Sequence, residues 1–387
     1  MKKYFKTLTI FCVILLLIIL GDVVLNKTYK IKYDSLNQID QKMFKELSLM
    51  YKNFQENPNE LWDDTYRLNE KPIIVIRTNK DNGVINQYAY AINMKKNQNN
   101  LFSKKIDMGS TSKLPDVYRL SKFNTNIILK CILGNFGTVQ VDNEDVFYFK
   151  YYTGMMENPK INLDFSSFLL HESFHTYKQK KWRYDKNDAE NIPNYPANKE
   201  NYALMGLEFS LLDKCMESDD INIVKESLKE WVTVREYRYK KWPQLIGETK
   251  TEAIEGTARY MEYKYSKLIG GNLRVIPKKE EPYYITFMDA YKFIANDQAE
   301  SPTYLERPMR YETGASLGLI MDKTNINWKS DIEDSEDKDG KTQYEIIKKY
   351  FSVDNSYIID EKIKEIENAN NYNSLLEDGE KIVNLIR

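Results

Sequence analysis

The sequence predicts a fold of the α+β class, in which an antiparallel β-sheet region precedes a mostly helical region. Residues 71–152 contain short apolar runs separated by turn residues, whereas the pattern from Phe165 onward has the period of helices. Strands that precede helices without alternating with them are typical of α+β rather than α/β folds. The 387 residues are enough for two or three domains.

The N-terminus has the pattern of an export signal. Early lysines precede an apolar run over residues 8–20, and residues 23–25 extend that run, past Asp22, to the ~20 residues that span a bilayer. No small-x-small cleavage site follows it. We therefore predict an uncleaved signal anchor over residues 1–25, with a cleaved signal peptide as the alternative. In either case the rest of the chain is predicted to lie outside the cytoplasm, held at the cell membrane or secreted.

The remaining elements follow in chain order. A polar stalk with a helix around Met43–Phe54 is predicted for residues 26–70. Strands are predicted at residues 72–77, 84–92, 126–133, 138–141 and 146–152. Helices are predicted at residues 165–182, 200–216, 221–241, 248–268, 287–296 and 312–322. Two further helices are expected in the charged region 324–387.

The composition excludes several classes of protein. The 56 basic and 57 acidic residues nearly cancel, so no basic surface for nucleic acid is indicated. Three cysteines are too few for a disulfide-built scaffold, and Cys131 and Cys215 are compatible with either one disulfide or two buried thiols. Only two histidines are present, so imidazole chemistry has two positions available.

Both histidines fall in one HExxH segment of the helix predicted at 165–182. His171 and His175 are four residues apart, so on a helix they share a face and can bind one metal ion. Glu172 lies one step round the helix and can act as general base towards a water at the metal. Asp164 precedes the helix, where an acid suits the helix dipole. A zinc site needs a third protein ligand, and without another histidine a carboxylate is the best candidate.

A charged stripe is predicted on the helix at 248–268. Its members are spaced 4, 3, 4 and 3 residues apart, and they are Glu248, Glu252, Glu255, Arg259 and Glu262. Most of the other side chains of this helix are small or apolar, which suits the wall of a metal site. The alternative is a solvated face with an ion pair between Glu255 and Arg259. Gly256 costs a helix ~1 kcal/mol, which indicates a packing or functional reason for it.

The segment Glu255-Gly-Thr-Ala-Arg-Tyr-Met-Glu262 resembles the third-ligand segment of the aminopeptidase N family of gluzincin metallopeptidases. This resemblance implies that Glu255 is the third Zn²⁺ ligand and that Glu262 orients a histidine from outside the ligand shell. Glu252 begins Glu-Ala-Ile, which is similar to the ligand segment of thermolysin, and it is the alternative ligand.

Two further segments resemble the same family and occur in its order. Tyr311 begins Tyr-Glu-Thr-Gly-Ala-Ser, which is similar to the family's Tyr-x-x-Gly-Ala-Ser stretch and implies that Tyr311 stabilises an oxyanion. Glu157 stands in Gly-Met-Met-Glu-Asn, which is similar to the motif whose Glu captures a substrate's α-amine. The resemblance covers about residues 150–323 and implies a thermolysin-like zincin core. The 80 residues from His175 to Glu255 exceed the family's spacing.

Together these features predict a zinc metallopeptidase that hydrolyses peptide bonds outside the cytoplasm, and an aminopeptidase if Glu157 binds an α-amine. The alternatives are a non-peptidase zinc hydrolase and a membrane-tethered binding protein with a vestigial metal site. The expected partners are a peptide or protein substrate and the membrane, without nucleic acid, while the oligomeric state stays open. The predicted domains are an anchor (1–25), a stalk (26–70), a β-rich part (71–152), a zinc-binding core (153–323) and a helical C-terminal region (324–387).

Overall fold

The structure is a computed structural model that describes residues 2–81, 83, 86–94, 100–109, 112–121, 123–124, 131, 134–141, 143–159, 163–184, 192–271, 273, 286–299, 301–354 and 356–386. The chain forms two compact units, residues 1–178 and 179–387. Helices combined with a mixed sheet confirm the predicted α+β class. The boundary between the units falls directly after the histidine-bearing helix, within the segment predicted as the zinc-binding core. The strand predicted at 126–133 lies almost entirely outside the described residues.

The first unit begins with helix α1 (Lys2–Thr28), as the apolar N-terminal run predicts. The segment Tyr4–Thr28 is long and apolar enough to cross a membrane, by its length and composition. Its side chains are exposed from Tyr4 to Ile18, whereas Asp22, Val23 and Asn26 are half-buried. These three are spaced to share one face of the helix, so α1 contacts the rest of the unit through its last turns.

The sheet of the first unit has seven strands in the described residues. They are β1 (Ile31–Lys32), β2 (Ile73–Thr78), β3 (Asn86–Ile92), β4 (Ser103–Asp107), β5 (Val117–Leu120), β6 (Phe136–Val141) and β7 (Glu144–Tyr151), in the spatial order β1-β4-β5-β3-β2-β7-β6. The prediction of an antiparallel sheet is wrong in part, because β1 pairs with β4 and β2 with β7 in parallel. Strand β2 is central and buried along its whole length, which explains its continuous apolar run.

Four helices besides α1 belong to the first unit in the described residues. They are α2 (Gln38–Glu56), α3 (Pro58–Leu61), α4 (Thr153–Glu157) and α5 (Phe165–Tyr177). Aromatic edges join α2 and α5 to the sheet: Phe44 meets Tyr90 at 4.8 Å and Phe165 meets Phe149 at 5.7 Å between ring centroids. Helix α5 ends earlier than predicted, at Tyr177, whose hydroxyl accepts the N–H of Phe147 on β7 at 2.9 Å. This bond fixes the end of α5 to the sheet.

The second unit is helical in its described residues. Its helices are α6 (Lys199–Glu217), α7 (Ile221–Lys241), α8 (Gly247–Thr251), α9 (Thr257–Leu268), α10 (Phe287–Ala295), α11 (Arg307–Lys323), α12 (Lys329–Ile332), α13 (Gln343–Phe351), α14 (Ser356–Ala369) and α15 (Tyr372–Ile386). A π-helical turn, Glu252–Gly256, joins α8 to α9. Helix α11 begins five residues before its predicted start, because Pro308 suits a first helical turn. The charged C-terminal region forms more helices than the two predicted.

The cysteines form no disulfide in the described residues. Cys131 and Cys215 are both buried thiols, which decides between the two alternatives that the sequence leaves open. Burial raises the pKa of Cys215 to about 12, so this thiol stays protonated at neutral pH.

Candidate metal centre

The histidine-bearing helix α5 starts at a side-chain cap. The carboxylate of Asp164 accepts the backbone N–H of Ser167 at 3.0 Å and so satisfies one of the N–H groups that a helix leaves unpaired at its start. Asp164 therefore stabilises the first turn through a cap bond as well as through the dipole interaction predicted from the sequence.

His171 and His175 stand one turn apart on α5, within the first unit. Their ring centroids are 4.8 Å apart, with an interplanar angle of 77°. Each ring offers a nitrogen within 4.8 Å of a nitrogen of the other. His171 is 8% exposed and His175 is half-buried, so the pair lies at the edge of the packed interior. This is the placement that the four-residue spacing predicts.

Neighbouring side chains of α5 hold the histidine pair in place. Phe174 packs edge-to-face against Trp62 and Tyr66, at 5.0 and 5.2 Å between ring centroids. The hydroxyl of Ser173 lies 3.3 Å from that of Tyr66 and also donates to the carbonyl of Leu170 at 3.1 Å. Aromatic packing and a buried hydrogen bond therefore restrain the rotation of α5 about its axis.

The two other predicted site residues of the first unit are carboxylates that remain accessible. Glu172 is half-buried on α5, between the two histidines in sequence. Glu157 is exposed at the C-terminal end of α4, directly after the buried Met155 and Met156. Neither side chain is enclosed in the core, so both can meet a solute.

The predicted charged stripe of the second unit is interrupted by the π-helical turn. A π turn takes more residues than an α turn, so it rotates the positions that follow it relative to an uninterrupted α-helix. Glu252 is fully buried, whereas the side chain of Glu255 is 18% exposed. The two candidate ligands of the stripe therefore lie in different environments, one enclosed and one partly accessible.

Glu255 forms an ion pair that the sequence interpretation missed. Its Oε1 lies 3.2 Å from a guanidinium nitrogen of Arg307, and another nitrogen of Arg307 donates to the hydroxyl of Tyr311 at 2.8 Å. Burial raises the pKa of Tyr311, and the nearby carboxylate of Glu255 raises it further, so the phenol stays protonated. Arg307 and Tyr311 are one turn apart on α11, and Pro308 was the sequence signal for the earlier start of that helix.

Glu252 is committed to a buried network of charges. Its carboxylate accepts from Arg235 at 3.0 Å and from the hydroxyl of Thr313 at 2.6 Å. The network balances three carboxylates with three guanidiniums, all at most 1% exposed: Glu208, Glu248 and Glu252 with Arg235, Arg238 and Arg310. A buried carboxylate with such partners is poorly suited to leave them for a metal ion.

Glu262 takes part in a second buried cluster on α9. It pairs with Arg259, which also donates to Glu312 at 3.0 Å, and Tyr263 donates to Glu312 at 2.6 Å. Burial raises the pKa of Glu312, while Arg259 opposes that rise. The alternative ion pair between Glu255 and Arg259 is replaced by the pairs of Arg259 with Glu262 and Glu312. The residues of the predicted charged stripe thus largely form buried ion pairs.

Gly256 has the packing reason that its helical position indicates. A Cβ atom added there would lie 2.5 Å from the Cα atom of Gly314 on α11. Conversely, a Cβ atom on Gly314 would lie 2.6 Å from the carbonyl oxygen of Glu252. The two helices therefore touch backbone to backbone at the π turn, directly beside Glu255.

The chain matches no protein-family model, and no curated protein or solved structure matches it either. The chemistry of the site therefore has to be argued from the residues themselves. The first unit brings together His171, Glu172 and His175, and the second unit brings together Glu255, Arg307 and Tyr311.

Proposed function

We propose that this chain is a zinc-dependent hydrolase of the gluzincin type, and specifically a metallopeptidase that acts outside the cytoplasm. The observation that carries the proposal is the histidine pair of α5, with Glu172 on the same helix. In the proposal, His171, His175 and Glu255 hold the ion. Each of these residue types offers a ligand atom that zinc accepts, a ring nitrogen or a carboxylate oxygen.

The donor set fits zinc. Two imidazoles and one carboxylate are a ligand combination of catalytic zinc sites, which keep a fourth position open. The two imidazoles each present a nitrogen within 4.8 Å of the other, which suits a shared ion. Glu255 is the better third ligand of the two candidates, because Glu252 is held by Arg235 and Thr313.

The reaction that we propose uses the chain's own groups around the ion. Zinc, when bound, supplies a Lewis acid that polarises the scissile carbonyl and lowers the pKa of a water to ~7. Glu172 takes a proton from the attacking water and returns it to the leaving amine. Tyr311 donates a hydrogen bond to the oxyanion, and Arg307 orients its hydroxyl. Glu157 binds the substrate's α-amine if the enzyme is an aminopeptidase.

The test combines zinc analysis with hydrolysis by the full chain in detergent. Glu172→Gln should keep zinc and lose on the order of 10²–10⁴-fold in rate, because the general base is removed. His171→Ala should lose the zinc itself. Glu56→Gln, on the exposed face of α2, is the matched control and should change neither. Full activity of the Glu172 variant, or failure of the wild-type chain to retain zinc, would contradict the proposal.

The exopeptidase form of the proposal has its own test. Aminoacyl amides with free and with blocked N-termini are compared, together with Glu157→Gln. An aminopeptidase should cleave only the free substrates, and the variant should lose most of that preference. Equal rates on free and blocked substrates would exclude this form and leave an endopeptidase.

A further inference from the structure

A basic pocket lies on the first unit beside the end of α1. It encloses about 620 Å³ and is lined by four lysines, two aspartates and several apolar side chains, among them Lys30, Lys32, Lys104, Lys105, Asp107 and Asp116. We call it the juxtamembrane pocket. The parallel register of β1 with β4 pairs Ile31 with Ile106, both buried, and Lys32 with Asp107. Strand alternation thus places Lys30, Lys32 and Lys105 on the solvent side of this edge.

The end of α1 is bound to the same edge of the sheet. Asp22, which interrupts the apolar run, accepts from the hydroxyl of Ser121 and, at 3.2 Å, from the amide of Asn26. The ammonium of Lys104 donates to the carbonyl of Lys27, in the last turn of α1, at 3.0 Å. A cation suits the negative end of a helix dipole. The pocket is therefore fixed relative to α1 rather than connected by a free linker.

These contacts determine how far a membrane could reach along α1. Asp22 is bonded to the folded unit, so the lipid-facing part runs from Tyr4 to Gly21, which is about 27 Å long at the rise of an α-helix. That length is close to the ~30 Å hydrocarbon core. Lys27 then lies about 9 Å beyond the core, at the outer edge of a headgroup layer that is roughly 5–8 Å thick. Lys30 and Lys32 follow just outside this layer, and lysine side chains are long enough to reach back to lipid phosphates.

The charge of the pocket suits an anion. Four lysines and two aspartates leave an excess of two positive charges. Lys105 is paired with Asp116 at 2.5 Å, and Lys104 is bonded to α1. Within the part of the chain that the structure describes, Lys30 and Lys32 have no carboxylate partner, so their ammonium groups are available to a ligand.

We propose that the juxtamembrane pocket binds the phosphate of an anionic phospholipid headgroup, with Lys30 and Lys32 as its principal ligands. The site goes beyond the proposed hydrolase activity, and it depends on α1 remaining attached to the mature chain. Met108, Leu114 and Pro115 supply an apolar side to the pocket, against which the lipid's glycerol region can lie. A bound lipid would hold the first unit in one orientation above the bilayer.

The experiment titrates the full chain in detergent with phosphatidylglycerol or phosphatidylcholine and counts bound lipid by native mass spectrometry. The wild-type chain should retain phosphatidylglycerol in preference to phosphatidylcholine. One lysine near an anionic surface contributes roughly fivefold in affinity, so Lys30→Gln with Lys32→Gln should weaken that binding by about 30-fold. The matched control is Lys45→Gln with Lys52→Gln, which removes the same charge from the exposed face of α2. It should leave the affinity unchanged.

Several outcomes would overturn the proposal. The first is equal retention of the two lipids, and the second is an equal loss of phosphatidylglycerol affinity in the two double variants. The third is displacement of phosphatidylglycerol by inorganic phosphate at similar concentration, which would assign the site to free phosphate. N-terminal sequencing that finds α1 removed from the mature chain would overturn it as well. Zinc content and peptide hydrolysis, measured on the same samples, report separately on the proposed function, because the lysine variants leave that site intact.

Discussion

Replacing Gly256 with alanine should destabilise the second unit, although alanine is the better helix former. The added Cβ atom would lie 2.5 Å from the Cα atom and 2.9 Å from the carbonyl carbon of Gly314. Both are backbone atoms, so relief requires a shift of α11 rather than a side-chain rotation. Overpacking costs ~1–3 kcal/mol, and the gain in helix propensity returns about 1 kcal/mol. Because the added Cβ atom would approach the backbone so closely, we expect a net decrease of about 2 kcal/mol in the free energy of unfolding of the second unit.

Calorimetric unfolding of the full chain in detergent measures this loss. For a unit of this size, 2 kcal/mol lowers the Tm by about 4–8 °C. Gly21→Ala is the matched control, because Gly21 is helical and an added Cβ there meets no atom within 4 Å. The Tm of the second unit in the Gly21→Ala variant should stay unchanged or rise slightly. If Gly256→Ala leaves the Tm of the second unit unchanged or raises it, the backbone contact beneath Glu255 does not exist as described.

Three further predictions follow from the charges and the cap. Glu252→Gln should lower the free energy of unfolding of the second unit by about 3–5 kcal/mol in chemical denaturation, because it leaves buried guanidiniums uncompensated. Glu255→Gln should change this stability little but should lose the zinc. The reverse pattern would make Glu252 the ligand. Burial raises the pKa of Glu248, but Arg238 and Arg310 outweigh it and hold that pKa well below its ordinary range. The carboxylate therefore stabilises the fold above its unfolded pKa of ~4.3, and stability should fall as pH drops below that value; a pH-independent Tm from pH ~5 to ~3 would contradict this. Asp164→Ala should lower the free energy of unfolding of the first unit by ~1 kcal/mol, because the helix cap is lost. Asp164→Asn should lower it less, since asparagine also caps a helix. Equal losses of stability in the two variants would exclude the cap.

Local patterns predicted much of the fold. Helix α7 spans the predicted residues Ile221–Lys241, because Asp220 caps its start by accepting the N–H of Asn222 at 2.9 Å and Pro243 follows its end. Strand β2 follows from its apolar run. Strands β1, β4 and β5 were not predicted, since they are short and β4 is rich in charge. The parallel pairing of β2 with β7 joins segments about 70 residues apart, which no local period reports.

The candidate site likewise has features that local sequence patterns predict and features that they do not. The shared face of His171 and His175 follows from helical spacing alone. The separation of Glu255 from Glu252 does not, because it results from a π turn at a helix crossing where two glycines meet. Arg307 escaped prediction because its partner Glu255 is distant in sequence.

The sequence by itself determined the apolar N-terminal helix, the α+β class and the placement of both histidines on one helix face. Each of these depends on residues within a few positions of one another, and periodicity records such relations directly. Only the tertiary structure decided which carboxylates are buried with arginines and which one remains accessible. The partner of a buried charge is set by the packing of distant helices, and desolvation makes that choice of partner energetically decisive.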